Sequence, residues 1–181
     1  MEDYDVDTET VEEDTYADLR AKAESLESQL AEKSEWMLKN LTHIQTAKQF
    51  AFAAAKSSQK PPHPVQIWEA IAEKWQNAIA ELGNIGEGEP GYAEAQKLLK
   101  TYGKNLKIIQ TRIQIEANAS AKLDNIFDRV ESFAESTSAK RQTYILELHY
   151  IIKELKSIQP GTTAHADAQK LLKSAQQRLK S

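Results

Sequence analysis

The octapeptide AEAQKLLK begins at Ala93, and the nearly identical ADAQKLLK begins at Ala166. With the same offset, the similarity extends without a gap over residues 71–107 and 144–180, where 14 of 37 aligned positions are identical. The matched unit is predicted to be a helix, a glycine-containing turn and a second helix, which together form an αα-hairpin. A chain that carries this unit twice is predicted to build the same hairpin twice.

The residues that the two copies share are mainly apolar, together with one turn glycine, Gly88 in the first copy and Gly161 in the second. Several polar and aromatic residues differ, and Tyr92, for example, is replaced by His165. A duplicated catalytic site would be expected to keep its polar side chains. The pattern therefore favours a duplicated scaffold.

The remaining sequence predicts further helices. Apart from Gly103, every proline and glycine lies in residues 57–64, 83–91 or 159–165, where helices are expected to end. We predict a disordered acidic tail at 1–14, a long amphipathic helix at 15–57, a first helical hairpin at 64–135 and a second at 137–181. Helix starts are expected at Asp14 or Thr15 and near Pro90.

Residues 15–57 follow a heptad pattern, in which two positions of every seven form an apolar seam. Lys33 and Asn40 are polar interruptions of this seam. One seam position holds Tyr16, Ala23, Leu30, Met37, Ile44 and Ala51, and the other holds Leu19, Leu26, Lys33, Asn40, Ala47 and Ala54. This pattern is typical of a coiled coil.

The third predicted helix is about twice as long as the second, fourth and fifth. Its first half is expected to pair with helix two and its second half with helix four, so that two bundles share it as in spectrin-like rods. The changeover is expected at residues 116–120, which are poor in large apolar side chains. The chain is therefore predicted to be an elongated all-α bundle of about five helices. The N-terminal half of helix one would overhang the bundle and pair with another copy as a homodimeric coiled coil.

The segment from Trp75 to Ile113 resembles a repeat pattern through Trp75, Ala78, Ile79, Leu82, Ile85, Pro90, Tyr92, Ala95, Gln96, Tyr102, Asn105 and Leu106. The pattern is that of a tetratricopeptide-like helical hairpin found in uncharacterised cyanobacterial proteins, and the resemblance covers residues 64–113 and, more weakly, 144–180. Gly86 stands where the turn proline of that repeat usually lies. The resemblance implies a tetratricopeptide-like scaffold, often beside membranes, with no defined activity.

The charged residues are unevenly distributed. Residues 1–18 hold nine acidic residues and no basic one, which leaves 18 acidic and 23 basic residues in the rest of the chain. The acidic tail either keeps the chain soluble or masks a basic face and recruits a partner. Basic residues at helical spacing, including Arg112, form one stripe in the third helix and another in the fifth. The candidates for contact with an anionic surface are Lys97, Lys100, Lys104, Lys107, Lys170, Lys173 and Arg178. The alternative is that these stripes bind nothing and are simply solvent-exposed helix surface.

The sequence argues against several kinds of chemistry. The chain has no cysteine, which excludes disulfides, thiolate metal sites and a cysteine nucleophile. None of its four histidines (His43, His63, His149, His165) follows an acidic residue by three positions, as a helical di-iron site would require. The glycines of residues 83–91 lie between helices and beside Glu87 and Glu89, which indicates a turn and not a phosphate loop. No catalytic, cofactor or metal site is predicted.

Tryptophans are the largest candidate anchors. Trp68 and Trp75 are seven residues apart and are expected to pack in the core, whereas Trp36, Phe50 and Phe52 are candidates for an exposed protein-interaction patch.

The sequence thus favours a non-enzymatic α-helical scaffold or adaptor that binds another protein. The alternative is a peripheral binder of an anionic membrane surface or, less favoured, of nucleic acid. Because no stretch reaches about 20 apolar residues, we expect a cytoplasmic protein, or one at the periphery of a membrane.

Overall fold

The computed structural model describes residues 8–135 and 141–180, and the side chains of residues 15–133 and 141–179. It contains five helices, α1 (Thr8–Ser57), α2 (Val65–Gly83), α3 (Tyr92–Glu135), α4 (Arg141–Lys156) and α5 (Thr163–Lys180). No strand occurs within these ranges. The predicted all-α bundle of five helices is confirmed.

Helix α1 begins at Thr8, earlier than the expected start at Asp14 or Thr15. The predicted disorder of residues 1–14 therefore does not hold for residues 8–14, whose backbone is helical, and residues 1–7 lie outside the described part of the chain. The acidic residues of this segment favour an earlier start because negative charge is stabilising near a helix N-terminus.

The two hairpin turns have the same backbone conformation at equivalent glycines. Gly88 has φ 83°, and Gly161, its equivalent in the second copy, has φ 81°. This left-handed region strains any residue that carries a Cβ, so glycine fits it best. In each copy an isoleucine three residues earlier, Ile85 or Ile158, turns its side chain into the core.

Burial repeats along with the turns. Leu82 and Leu155 are equivalent and have no exposed surface, and Ala95 and Ala168 are likewise fully buried on the next helix. The shared apolar letters of the two copies are thus the core positions of two similar hairpins.

Two separate cores lie along α3. The first joins the C-terminal part of α1, α2 and the first half of α3, and its last fully packed residue on α3 is Ile109. The second joins the rest of α3, from Ala119 onward, with α4 and α5. The predicted sharing of one long helix by two bundles is confirmed, with the changeover between Ile109 and Ala119.

The second half of α3 packs against α5 more extensively than against α4, the helix expected to be its main partner. The small side chains Ala168 and Ala175 are buried on α5 and allow a close approach. Besides their share in the second core, α3 and α4 are joined by a long polar side chain. Arg129 Nη2 donates to Glu147 Oε2 at 2.9 Å, and its guanidinium lies 4.1 Å from the Tyr150 ring centre.

Helix α1 extends well beyond the bundle. Every residue from 15 to 39 is exposed, and the first buried residue among the described side chains is Asn40. The predicted overhang is therefore present, and it includes the first three heptads of the seam and Met37 of the fourth.

Candidate interaction surfaces

The exposed part of the α1 seam is the most apolar surface of the overhang. We call Tyr16, Leu19, Ala23, Leu26, Leu30 and Met37 the N-terminal seam. Leu19 keeps 62 % and Leu30 70 % of its surface exposed. Aligned apolar side chains of this size on a projecting helix are typical of a protein-interaction site.

Contacts between side chains within the helix contribute little to the stability of the exposed part of α1. Arg20 Nε lies 3.2 Å from Glu24 Oε1, and Gln29 Nε2 lies 3.5 Å from Ser25 Oγ, all on the helix exterior. Exposed pairs of this kind contribute only a few tenths of a kcal/mol, about 0.3–0.5 each. Most of the stability of a helix in a protein comes from packing its apolar face, and here that face is unpacked.

A buried amide holds α1 to the bundle where the overhang ends. Asn40 is 3 % exposed, and its Nδ2 donates to Glu89 Oε2 at 3.0 Å and to the Pro90 carbonyl at 3.1 Å. Glu89 also accepts from the Gly86 backbone N–H at 2.9 Å. The hydrogen bond from Gly86, followed by that from Asn40, holds the pKa of Glu89 below its ordinary value.

Two ionisable pairs continue this attachment along α1. His43 Nδ1 lies 2.7 Å from Glu81 Oε2 on α2, and Lys48 Nζ donates to Glu94 Oε1 on α3 at 2.8 Å. The hydrogen bond to Glu94 raises the pKa of Lys48. These contacts fix the direction in which the overhang leaves the bundle.

The second turn is held in the same way by Glu116 of α3. This side chain is 2 % exposed, and its Oε1 accepts hydrogen bonds from the Thr163 backbone N–H at 2.8 Å and from Thr163 Oγ1. Since Thr163 opens α5, Glu116 satisfies an N–H that the helix itself leaves unpaired. In the sequence, Asn40 is a polar interruption of the apolar seam, and Glu116 is part of residues 116–120, which are poor in large apolar side chains. The sequence feature that could have indicated their role is that each is a single polar residue near an apolar seam.

The structure does not bring Trp36, Phe50 and Phe52 together as one patch. Trp36 and Phe52 are exposed, but they lie about 24 Å apart along α1 and about 160° apart around it. Phe50 is half-buried and packs against the first core. Trp68 and Trp75 are buried in that core, as predicted.

The structure aligns the basic residues of α3 better than those of α5. Lys97, Lys100, Lys104 and Lys107 are exposed within a sector of about 80°, opposite the buried Ala95–Ile109 seam. None of these four lysines pairs with another residue in the part of the chain that the structure describes. We call them the α3 lysine stripe.

The remaining basic candidates do not form a continuous stripe of unpaired side chains. Lys170 donates to Asp167 at 2.8 Å, and Arg178 lies about 140° around α5 from Lys173. Arg112 lies outside the α3 lysine stripe, and its guanidinium lies over the Trp68 ring, 5.8 Å from the ring centre.

Two shallow concavities accompany these surfaces. One of about 270 Å³ lies among α1, α2 and α3, where Trp75, Asn105 and Ile109 contribute to its wall. A wider groove of about 700 Å³ between α3 and α4 includes Lys122, Arg129 and Glu154.

Among the described residues, no group of three or more histidine or acidic side chains is placed to hold a metal ion. No described helix is long and apolar enough to cross a membrane.

Comparison with protein-family models, curated proteins and solved structures found no match for this chain.

Proposed function

We propose that this chain is a non-enzymatic α-helical scaffold or adaptor that acts by protein–protein association through its projecting helix. The observation that carries the proposal is the N-terminal seam, which places large apolar side chains in heptad register on a helix held outside the bundle. The two cores supply a rigid base, and the buried Asn40 sets where the projecting part begins.

Capture of a tagged chain from its native cell, with mass spectrometry of the co-captured polypeptides, tests this proposal. The variant L19E/L26E/L30E places three charges in the seam, whereas the matched control A21E/S25E/S28E places three on the opposite exposed face. We expect wild type and control to capture a polypeptide that the seam variant loses, whether a different protein or an untagged copy of the chain. Identical capture by all three chains would refute the proposal.

A second candidate function is contact with an anionic surface, either a membrane or a nucleic acid, through the α3 lysine stripe. The observation that favours it is that four exposed lysines share one sector without a described partner. Binding that depends on these lysines should fall steeply between about 50 and 200 mM salt, whereas an apolar helix contact should persist.

Changing the four lysines of the stripe to glutamine should abolish binding to anionic vesicles. The same change at the exposed Lys22, Lys56, Lys153 and Lys156 serves as the control and should have a smaller effect. If the acidic N-terminal segment masks the stripe, deletion of residues 1–18 should strengthen binding. Equal effects of the two lysine sets would refute this candidate.

A further inference from the structure

We propose that the N-terminal seam binds the same seam of a second copy of this chain in antiparallel orientation, with Glu24 and Ser25 at the centre of the pairing. The inference rests on the proposed function, in which the seam is an interaction surface, and it specifies the partner and its direction. Four features of the chain support it.

The first feature is the charge at the end of the helix. Residues 1–18 carry nine acidic residues and no basic one. A parallel pair would place two such segments side by side, whereas an antiparallel pair separates them by most of the overhang. That separation is several times the screening length of about 8–10 Å at physiological salt.

The second feature is Lys33 in the seam. In a parallel pair each seam residue faces its own counterpart, so Lys33 would face Lys33 of the second copy. In the proposed antiparallel pair Lys33 faces Tyr16, while Leu19 faces Leu30 and Ala23 faces Leu26. Leu19, Ala23, Leu26 and Leu30 then face one another, and the two lysines lie far apart.

The third feature is charge complementarity beside the seam, which selects the register. In an antiparallel pair the residues that directly follow the Leu19 and Leu26 positions face one another. The proposed register therefore places Arg20 opposite Glu27 of the second copy, twice by symmetry. A shift of one heptad in either direction would place Arg20 opposite Arg20 or Glu27 opposite Glu27.

The fourth feature is length. In this register the first helical residue, Thr8, lies opposite Leu41, directly after the buried Asn40 that joins α1 to the bundle. The overlap is about 48 Å long. The described helix of each copy thus begins where the bundle of the second copy begins, and the whole overhang from residue 15 to 39 lies within the paired length.

Sedimentation equilibrium of the full chain tests the dimer. At concentrations up to about 300 µM, which would saturate a dimer with a Kd of about 10 µM, we expect twice the monomer mass. L19E/L26E/L30E should be monomeric and A21E/S25E/S28E dimeric. A wild-type monomer throughout this range would overturn the inference.

Disulfide trapping tests the orientation, and the absence of native cysteine makes every disulfide assignable. In the antiparallel pair a mixture of Y16C and K33C chains should form a mixed disulfide dimer under mild oxidation. K33C alone should not, because its two sulfurs would be about 25 Å apart along the helices. A rapid disulfide dimer of K33C alone, or no disulfide in the mixture, would overturn the orientation.

Charge exchange tests the register. R20E should weaken the dimer about tenfold, because it replaces two attractive contacts by two repulsive ones. E27R should act similarly, and R20E/E27R should restore dimerisation. In a parallel pair the double variant would stay weak, because the arginine introduced by E27R would then face Lys22; such a result would contradict the register.

These outcomes separate the inference from the proposed function. If the chain is monomeric but its seam-dependent capture yields a different protein, the antiparallel dimer is refuted and the interaction function stands. If the capture does not depend on the seam, the function itself is refuted.

Discussion

Asn40 and Glu116 are single polar side chains that fasten one helix to the turn of the hairpin that follows it. Each is almost fully buried, and each is hydrogen-bonded at the start of the second helix of that hairpin: Asn40 to the Pro90 carbonyl just before α3, and Glu116 to the N–H of Thr163, the first residue of α5. A buried polar group is tolerated when its hydrogen bonds are made, and losing one partner leaves the other unsatisfied. These two residues therefore determine the geometry of the bundle more than their size suggests.

Replacement of Glu116 should show this directly. Glu116→Ala removes the acceptor for the Thr163 N–H and opens a cavity between the cores, so we expect a loss of about 2 kcal/mol in the free energy of unfolding. Glu116→Gln keeps an acceptor oxygen and should lose less. Urea unfolding measures both, with the exposed Asp124→Ala on the same helix as a control that should change little. Equal effects of Glu116→Ala and the control would contradict this account.

Glu89 should make the stability of the first turn depend on pH. Because its pKa is lowered in the folded chain from the ordinary value of 4.5, the charged form stabilises the fold at higher pH. That stabilisation is lost as the pH falls through the lowered pKa. Wild type should therefore be more stable than Glu89→Gln at about pH 7, and the difference should shrink at about pH 3. Urea unfolding at the two pH values measures it, and a constant difference would contradict the role of the charge.

At the scale of elements, α1 is one continuous helix in two environments. After Asn40 its seam residues Ile44, Ala47, Ala51 and Ala54 are buried in the first core, while from residue 15 to 39 the same heptad pattern is exposed. The pattern therefore predicts a helix but not which of its turns the bundle covers.

Alanine substitutions at Gly88, Gly161 and Gly103 should affect stability differently, because the first two lie in turns and the third lies in a helix. At each, an added Cβ would meet no atom within 4 Å, so only backbone preference matters. Gly88→Ala and Gly161→Ala force alanine into the left-handed region and should each destabilise by about 1 kcal/mol. Gly103→Ala lies within α3 and should stabilise by about 0.5–1 kcal/mol. Thermal unfolding measures all three, and a common sign at the three positions would contradict the turn assignment.

At the scale of the whole molecule, α3 is the mechanical connection between two cores. Neither core is complete without it, because each takes buried side chains from a different half of the helix. We therefore expect the two cores to unfold together in the wild-type chain.

Asn118→Pro should uncouple them. Asn118 is exposed on α3 just before the second core, and proline there removes a helical hydrogen bond and kinks the helix, at a cost of about 3 kcal/mol. The tryptophans lie on the overhang of α1 (Trp36) and in the first core (Trp68 and Trp75), so fluorescence follows α1 and the first core but not the second, while circular dichroism follows all helices. The two signals should coincide in wild type and in Asn118→Ala, and separate in Asn118→Pro. Coincident transitions in the proline variant would show that α3 is not the coupling element.

The helices and their duplication can be predicted from the amino-acid sequence. Apolar periodicity, the position of proline and glycine, and the repeated hairpin pattern can all be read along the chain, and the buried Leu82 and Leu155 and the two turn glycines follow them closely. The early start of α1 was missed because acidic composition indicates disorder, although the same charges stabilise a helix N-terminus.

Which side chains are buried depends on how the helices pack against one another. Phe50 and Phe52 are alike in the sequence, yet one packs against the first core and the other remains 71 % exposed. In the sequence Asn40 and Glu116 are only polar interruptions of apolar patterns, and their hydrogen bonds to the two turns exist only in the folded chain. Burial and hydrogen bonding depend on residues distant in the chain, so a periodic pattern specifies a helix and its apolar face, while the packing of other helices decides how much of that face remains free to bind.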